Sequence, residues 1–359
     1  MSLEFWFLAI FLAAVAVAIP LMIALERVGR RLGLMDYPRP GEVQQRALPR
    51  SGGYGVFAAF WLAILLSFAL APGDLERLPA DNTRLVGVLI GSLVLLPLAV
   101  IDDVRRLGPL PQFLGQIVAA TVPVFFGLRM DEVATPFGIV TLPDPLAGPL
   151  AVLWIVAMIN AINLLDTMDG LAGGIAAIAS GVLFLRSAWF GQASIAILPL
   201  TLGAACIGFL TRNWHPSRVI LGTSGALFLG YVLGVVTVVG GVKIGTAFLV
   251  LAVPILDVAW VIYRRVSQGR SPFRGGDAEH LPHRLRILGM SDPAIVLSLY
   301  AVCGLIGAAV LLMHSALPGV EKAYLATAVV LVVVGALATI ARLTSTRPAL
   351  PSTERTGGQ

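Results

Sequence analysis

The chain alternates long apolar runs with short polar connections. A run near 20 residues can cross the ~30 Å hydrocarbon core of a bilayer as a helix. Eleven such spans are predicted, near 3–24, 52–71, 84–101, 113–128, 148–164, 170–190, 193–211, 224–240, 245–263, 293–313 and 322–343. The pattern predicts an all-α, polytopic membrane protein, because lipid forces every backbone polar group to be satisfied within the spanning structure. A single transmembrane domain is expected over 1–343, followed by a disordered tail over 344–359. The first run lacks a basic flank and a small-residue cleavage site, so it reads as a retained span rather than a signal peptide. No internal repeat is visible, which argues against an inverted-repeat transporter.

Composition agrees with this pattern. Of 359 residues, 57% are hydrophobic and 13% charged, against roughly 25% charged in soluble domains. Roughly three quarters of the 25 Lys and Arg residues fall on one side of the predicted topology, which places the C-terminus in the cytoplasm and the N-terminus outside. Two loops on that side, 25–51 and 264–292, carry six arginines each. With a net charge of +5 they suit an anionic ligand or anionic headgroups, or they serve only to fix topology. Cys206 and Cys303 lie in apolar runs and read as buried core residues.

Against this background the polar clusters stand out. Residues 160–174 read NAINLLDTMDGLAGG. An aspartate in hydrocarbon costs about 2.5–3.5 kcal/mol even on lenient insertion scales, so the segment must meet an interface or a wet cavity. If helical, Asn163, Asp166 and Asp169 form one stripe, extended by Asn160. Asp102 and Asp103 close the third span. Adjacent carboxylates repel unless a cation intervenes, and a hard divalent ion such as Mg2+ is one answer. An interfacial salt bridge to Arg105 and Arg106 is the other. Asn213 and the turn Gly222–Gly225 precede an apolar run on the same face, and the amides of that turn are suited to an anion. His215 reads as a loop residue. Asp257, in the ninth span, is a site residue or, preferably, a group satisfied within the bundle. His280 and His283 flank a proline, without the further ligands a zinc site needs. Acids and arginines interleaved on one membrane face point to a metal-bridged anionic substrate.

In sequence order, LPRSGG at 48–53, IDDVRRL at 101–107, NAINLLDTMDGLAGG, NWHPSRVILGTSGALFLG at 213–230, PILD at 254–257 and DAEHLPHRL at 277–285 resemble the polyprenyl-phosphate N-acetylhexosamine-1-phosphate transferases. The eleven-span pattern looks like the branch that uses simple UDP-N-acetylhexosamines. The resemblance implies transfer of a sugar-1-phosphate from a UDP-sugar to a polyprenyl phosphate, releasing UMP, in a bacterial inner membrane with the site facing the cytoplasm. Such a reaction begins a cell-envelope polysaccharide. It further implies Mg2+, with Mn2+ as the alternative ion, held among Asp102, Asp103, Asp166 and Asp169 as catalytic and metal residues. Arg50, Asn160, Asn163, Asn213, Thr223, Arg274, His280, His283 and Arg284 would bind substrate. The expected partners are polyprenyl phosphate, the UDP-sugar and the bilayer, with a homodimer allowed and no nucleic acid.

Four positions depart from the family pattern. Thr223 stands where the family has an aspartate, Ala226 where it has a serine, Pro282 where it has a histidine, and Thr167 where it has a glycine. Threonine is a neutral, weaker donor to Mg2+. These changes leave three readings open: an active transferase, one with altered substrate or metal geometry, and a catalytically degenerate binder of lipid phosphate or nucleotide sugar.

Overall fold

The computed structural model describes residues 2–38, 46–71, 79–105, 107–135, 138–239, 248, 250–270 and 280–315, with the isolated positions 328, 331 and 335. Eleven helices follow one another among these residues: α1 (Leu3–Arg31), α2 (Gly52–Ala69), α3 (Pro79–Arg105), α4 (Pro109–Phe125), α5 (Asp144–Leu165), α6 (Leu171–Trp189), α7 (Ala193–Asn213), α8 (Gly222–Val239), α9 (Ala252–Ser267), α10 (Leu281–Ile287) and α11 (Asp292–Ser315). Local sequence sets several of their ends. Ser2 caps α1 by accepting a hydrogen bond from Phe5 N at 3.4 Å. Pro109 opens α4 just after Gly108, where its missing N–H leaves no intrahelical bond unmade.

Eight of these helices, α1–α3, α5–α8 and α11, are long and apolar enough to cross a membrane. The fold is therefore helical and polytopic, but the described residues do not contain eleven spans of that quality. The predicted 113–128 span is α4, which has 17 residues. Residues 252–263 of the predicted 245–263 span lie on α9, a helix of 16 residues that carries Asp257, Arg264 and Arg265, which gives it a polar face. The predicted 322–343 span lies almost wholly outside the described residues, and the 344–359 tail entirely so. Two short antiparallel pairings interrupt the all-α pattern. Strand β1 (Met35–Asp36) pairs with β2 (Leu48–Pro49), matching Met35 with Pro49, and β3 (Glu132–Thr135) pairs with β4 (Gly138–Thr141).

Burial separates the helices into a core and a rim. Of the apolar stretch of α8, 83% is buried, against 22% for α1. Helix α8 packs on α5, α3 and α2, while α6 packs on α7 and α11. Two polar groups buried on α8 are satisfied: Tyr231 donates to Val88 O at 3.1 Å, and Thr237 accepts from Trp154 Nε1 at 2.7 Å. The two cysteines are free and buried, as their apolar surroundings predict.

Helices adjacent in the chain pack together, α1 on α2, α3 on α4 and α6 on α7. The end of α3 meets the start of α8 through Asp103 and Thr223, and the start of α2 meets the segment just before α8. Hydrogen bonds fix this meeting, since Gly52 N and Gly53 N donate to Ile220 O (3.1 Å) and Leu221 O (2.9 Å), just before α8. There α2 and α8 touch backbone to backbone. A Cβ on Gly53 would lie 2.1 Å from Gly225 N, so neither helix tolerates a side chain at this crossing.

Candidate active site

Asp103 lies in the last turn of α3 and points into the start of α8. Its Oδ1 accepts from Thr223 N at 2.9 Å, and its Oδ2 from Ser224 N at 3.3 Å and from the Tyr54 hydroxyl at 3.2 Å. The first amides of a helix lack intrahelical partners and carry the positive end of its dipole. The turn predicted to hold an anion therefore does hold one, and the anion is the protein's own. Gly222 shapes the approach with φ +70°, and a Cβ there would stand 3.2 Å from Asp103 Oδ1.

Arg50 reaches the same carboxylate from the β1–β2 pairing. Its Nη2 donates to Asp36 Oδ1 at 2.6 Å, and its Nη1 lies 3.7 Å from Asp103 Oδ1. Asp102, one residue earlier on the helix, is turned elsewhere. It is buried, and its Oδ1 accepts from Leu107 N at 2.9 Å, closing the turn between α3 and α4. The adjacent acids thus have separate surroundings.

The NLLDTMDG segment does not continue as a helix. Helix α5 ends at Leu165, and Asp166 leaves it with ψ 61°. The predicted stripe is broken there: Asn160 and Asn163 are helical, whereas Asp166 and Asp169 belong to the loop before α6. Asn213 organises this loop by accepting from Gly170 N and donating to Val219 O, each at 2.8 Å. Asp169 Oδ2 accepts from Ser217 N at 3.1 Å and lies 3.1 Å from His215 Nδ1. The Tyr300 hydroxyl, from α11, donates to Gly170 O. The Thr167 hydroxyl is buried without a hydrogen-bond partner among the described residues. Burial, then the charges of Asp169 and Asp103, push the Asp166 carboxyl up to about 7.

Mg2+ is held by one or two carboxylates, its other ligands being water and phosphate oxygens. Asp166 fits that chemistry, because burial first, and then the charges of Asp169 and Asp103, disfavour its bare carboxylate, a cost that a bound cation would relieve. Among the described residues no three of His, Cys, Asp and Glu form a complete metal cage. A cation here would take its remaining ligands from solvent and substrate.

The other predicted substrate residues have different settings. Asn160 Nδ2 donates to Gln116 Oε1 at 2.6 Å and to Val156 O at 2.8 Å, tying α5 to α4. Asn163 is half-buried on the last turn of α5. Thr223 contributes its amide to Asp103. His280 and Arg284 are buried with Asp257, 2.7 Å and 3.6 Å from its carboxylate oxygens, so Asp257 is satisfied within the bundle as preferred from sequence. His283 is half-buried on α10, and Arg274 lies outside the described residues. Sequence reasoning missed Asp36, Tyr54, Ser217 and Tyr300, and assigned His215 only to a loop. Tyr54 follows the Gly-Gly pair that opens α2, a weak signal for a residue at the site. Nothing local marks Tyr300, which is 130 residues from its partner.

Comparison with known proteins decides the family. A profile described as Glycosyl transferase family 4 matches residues 85–241, which include Asp102, Asp103, Asp166, Asp169 and Asn213. The "Probable undecaprenyl-phosphate N-acetylglucosaminyl 1-phosphate transferase" of Bacillus subtilis (strain 168) is 31% identical, over 81% of this chain and 80% of the relative. The chain belongs to the polyprenyl-phosphate N-acetylhexosamine-1-phosphate transferase family. A "Decaprenyl-phosphate N-acetylglucosaminephosphotransferase" of Mycolicibacterium smegmatis is also 31% identical, over 87% of this chain and 83% of its own length. A Yersinia pestis "Undecaprenyl-phosphate alpha-N-acetylglucosaminyl 1-phosphate transferase" is 28% identical over 79% of both chains. In this transferase family member the matched motifs supply both walls of the acidic mouth, α3 on one side and the 166–170 loop on the other.

Proposed function

We propose that the protein transfers N-acetylhexosamine-1-phosphate from a UDP-sugar to a polyprenyl phosphate, releasing UMP, as the first membrane step of a cell-envelope polysaccharide. The observation that carries this reading is the convergence of Arg50, Asp103, Asp166, Asp169 and the start of α8 at one end of a membrane bundle. A lipid phosphate and a soluble nucleotide must meet at such an interface. The names of the relatives supply the substrate classes. Eleven spans, with the N-terminus outside and the site at the cytoplasmic face of a bacterial inner membrane, complete the reading through the distribution of arginine.

In the reaction an oxygen of the lipid phosphate attacks the β-phosphorus of the UDP-sugar. A new diphosphate bond forms, the bond to the UMP oxygen breaks, and UMP leaves. Phosphoryl transfer needs alignment and charge stabilisation more than covalent participation by the protein. Arg50, preset by Asp36, offers guanidinium donors to phosphoryl oxygens. Asp103 holds α2, α3 and α8 together at the mouth through Tyr54 and the α8 amides. Asn213, Ser217 and Tyr300 fix the loop carrying Asp166 and Asp169. Mg2+ held by Asp166 and Asp169, with Asp103 nearby, would neutralise the diphosphate when bound.

The test is incubation of purified protein with polyprenyl phosphate, Mg2+ and a panel of UDP-sugars, following UMP release. Release dependent on both substrates is expected. Absence of release with every donor, while nucleotide or lipid binding persists, would leave the degenerate-binder reading in its place.

A further inference from the structure

A second cluster of ionisable groups lies on α9 and α10. Asp257, His280 and Arg284 are each at most 4% exposed. Asp257 Oδ1 accepts from Leu281 N at 2.7 Å and has Arg284 Nη2 at 3.6 Å. Its Oδ2 lies 2.7 Å from His280 Nδ1. The Arg284 guanidinium stands over the Trp260 ring at 5.7 Å, and its Nε is buried with no hydrogen-bond partner among the described residues.

Joining two helices does not call for such a cluster. Burying charged groups costs several kcal/mol each, and well-packed apolar residues often do as well or better. Leu281 and Leu285, both buried on α10, already supply that packing. What the charges add is orientation. A carboxylate offers only acceptors, so the ring proton must sit on Nδ1, and any further partner of His280 must engage through Nε2. The unfilled Nε–H of Arg284, a cationic donor in the same cluster, marks the place as one that meets an anion rather than one closed on itself.

We propose that Asp257 is a positioning residue for the transfer reaction, holding His280 in the Nδ1–H tautomer so that Nε2 is presented to a phosphoryl-bearing substrate. This rests on the transferase reading above. The Leu281 amide makes the consequence of Asp257→Asn specific. The asparagine Oδ1 is retained by Leu281 N–H, which leaves its NH2 group facing His280 Nδ1. A donor there requires a bare Nδ1, so the ring proton moves to Nε2. The variant keeps its shape and inverts the tautomer.

The chain has only four histidines, so nitrogen-labelled histidine in the full-length protein gives an assignable spectrum, with His280→Gln identifying the signal. The wild type is expected to show His280 as Nδ1–H near neutral pH, and Asp257→Asn to show Nε2–H. In UMP-release assays that variant should lose roughly 10–100-fold in kcat, the range for groups that orient a functional histidine, with KM for the UDP-sugar changed far less. A wild-type His280 that is Nε2–H or doubly protonated overturns the proposal without need of a variant. So does an active wild type whose Asp257→Asn form keeps full kcat, or one that loses activity with its tautomer unchanged. An inactive wild type with the Nδ1–H signature would instead count against the transferase reading alone.

Discussion

Two carboxylate clusters in this protein solve opposite problems. At the start of α8, Asp103, Asp166 and Asp169 lie near one another, Arg50 Nη1 stands 3.7 Å from Asp103, and Asp166 is pushed up to about 7. On α9 and α10 one carboxylate, Asp257, is matched by an imidazole, a guanidinium and a backbone amide within 3.6 Å. The first cluster has an excess of negative charge and is left for something outside the chain to complete. The second sets a guanidinium against its carboxylate, holds a ring in a chosen orientation, and keeps the Arg284 Nε–H without a partner among the described residues. On the proposed reading the first would receive a cation and its phosphates, and the second would aim a side chain.

The largest effect expected from breaking this contrast comes from Asp166→Asn. Removing the carboxylate with the least compensation should lower kcat by on the order of 10²–10³-fold, as losing one charge-stabilising group at a reacting centre does, with the fold intact by circular dichroism. The pH dependence sharpens the same point. An acid raised in the folded state binds its proton more tightly than in the unfolded chain, so its contribution to stability falls as pH rises from about 4 through about 7. A divalent cation competes with that proton. Mn2+ affinity, measured by electron paramagnetic resonance, should therefore weaken as pH falls through about 7, and Asp166→Asn should flatten that dependence. Cation affinity that is constant across this range, in a protein that does bind the ion, contradicts the assignment.

Smaller effects concern the frame. Asn213→Ala leaves Gly170 N and Val219 O without their side-chain partner, which should cost about 1–3 kcal/mol and lower the thermal midpoint in detergent. Thr223→Asp, combined with Pro282→His, adds an acid at the α8 start and restores the family residues at those two positions. A severalfold gain in Mn2+ affinity is expected. If binding is unchanged, the threonine and proline are adaptations of this chain rather than losses.

Much of this was legible in the sequence, for a physical reason. Aspartates among apolar runs are costly enough in lipid that their positions announce a site, and Asp103, Asp166 and Asp169 are indeed at one mouth. Apolar length likewise announced α1–α3, α5–α8 and α11. The failures share another cause. Helix α9 has a polar face that hydropathy averages away. The break after Leu165 depends on Asn213, 43 residues on from the Gly170 it holds, so a helical stripe looked plausible from spacing alone. Asp36, Tyr54 and Tyr300 act only through partners distant in sequence, and their residue types are ordinary for loops and membrane helices. The anion at the α8 start was foreseen as a ligand because nothing local identifies Asp103 as its occupant.

In the proposed reaction a phosphoryl group, and not only a sugar, passes to the lipid at the α8 mouth. The most direct measurement uses a UDP-sugar radiolabelled at its β-phosphorus, with polyprenyl phosphate and the purified protein. Label is expected in the lipid fraction, with unlabelled UMP released in equal amount and both lost in Asp166→Asn. Label remaining in a water-soluble nucleoside diphosphate while the sugar enters the lipid would contradict the proposed reaction.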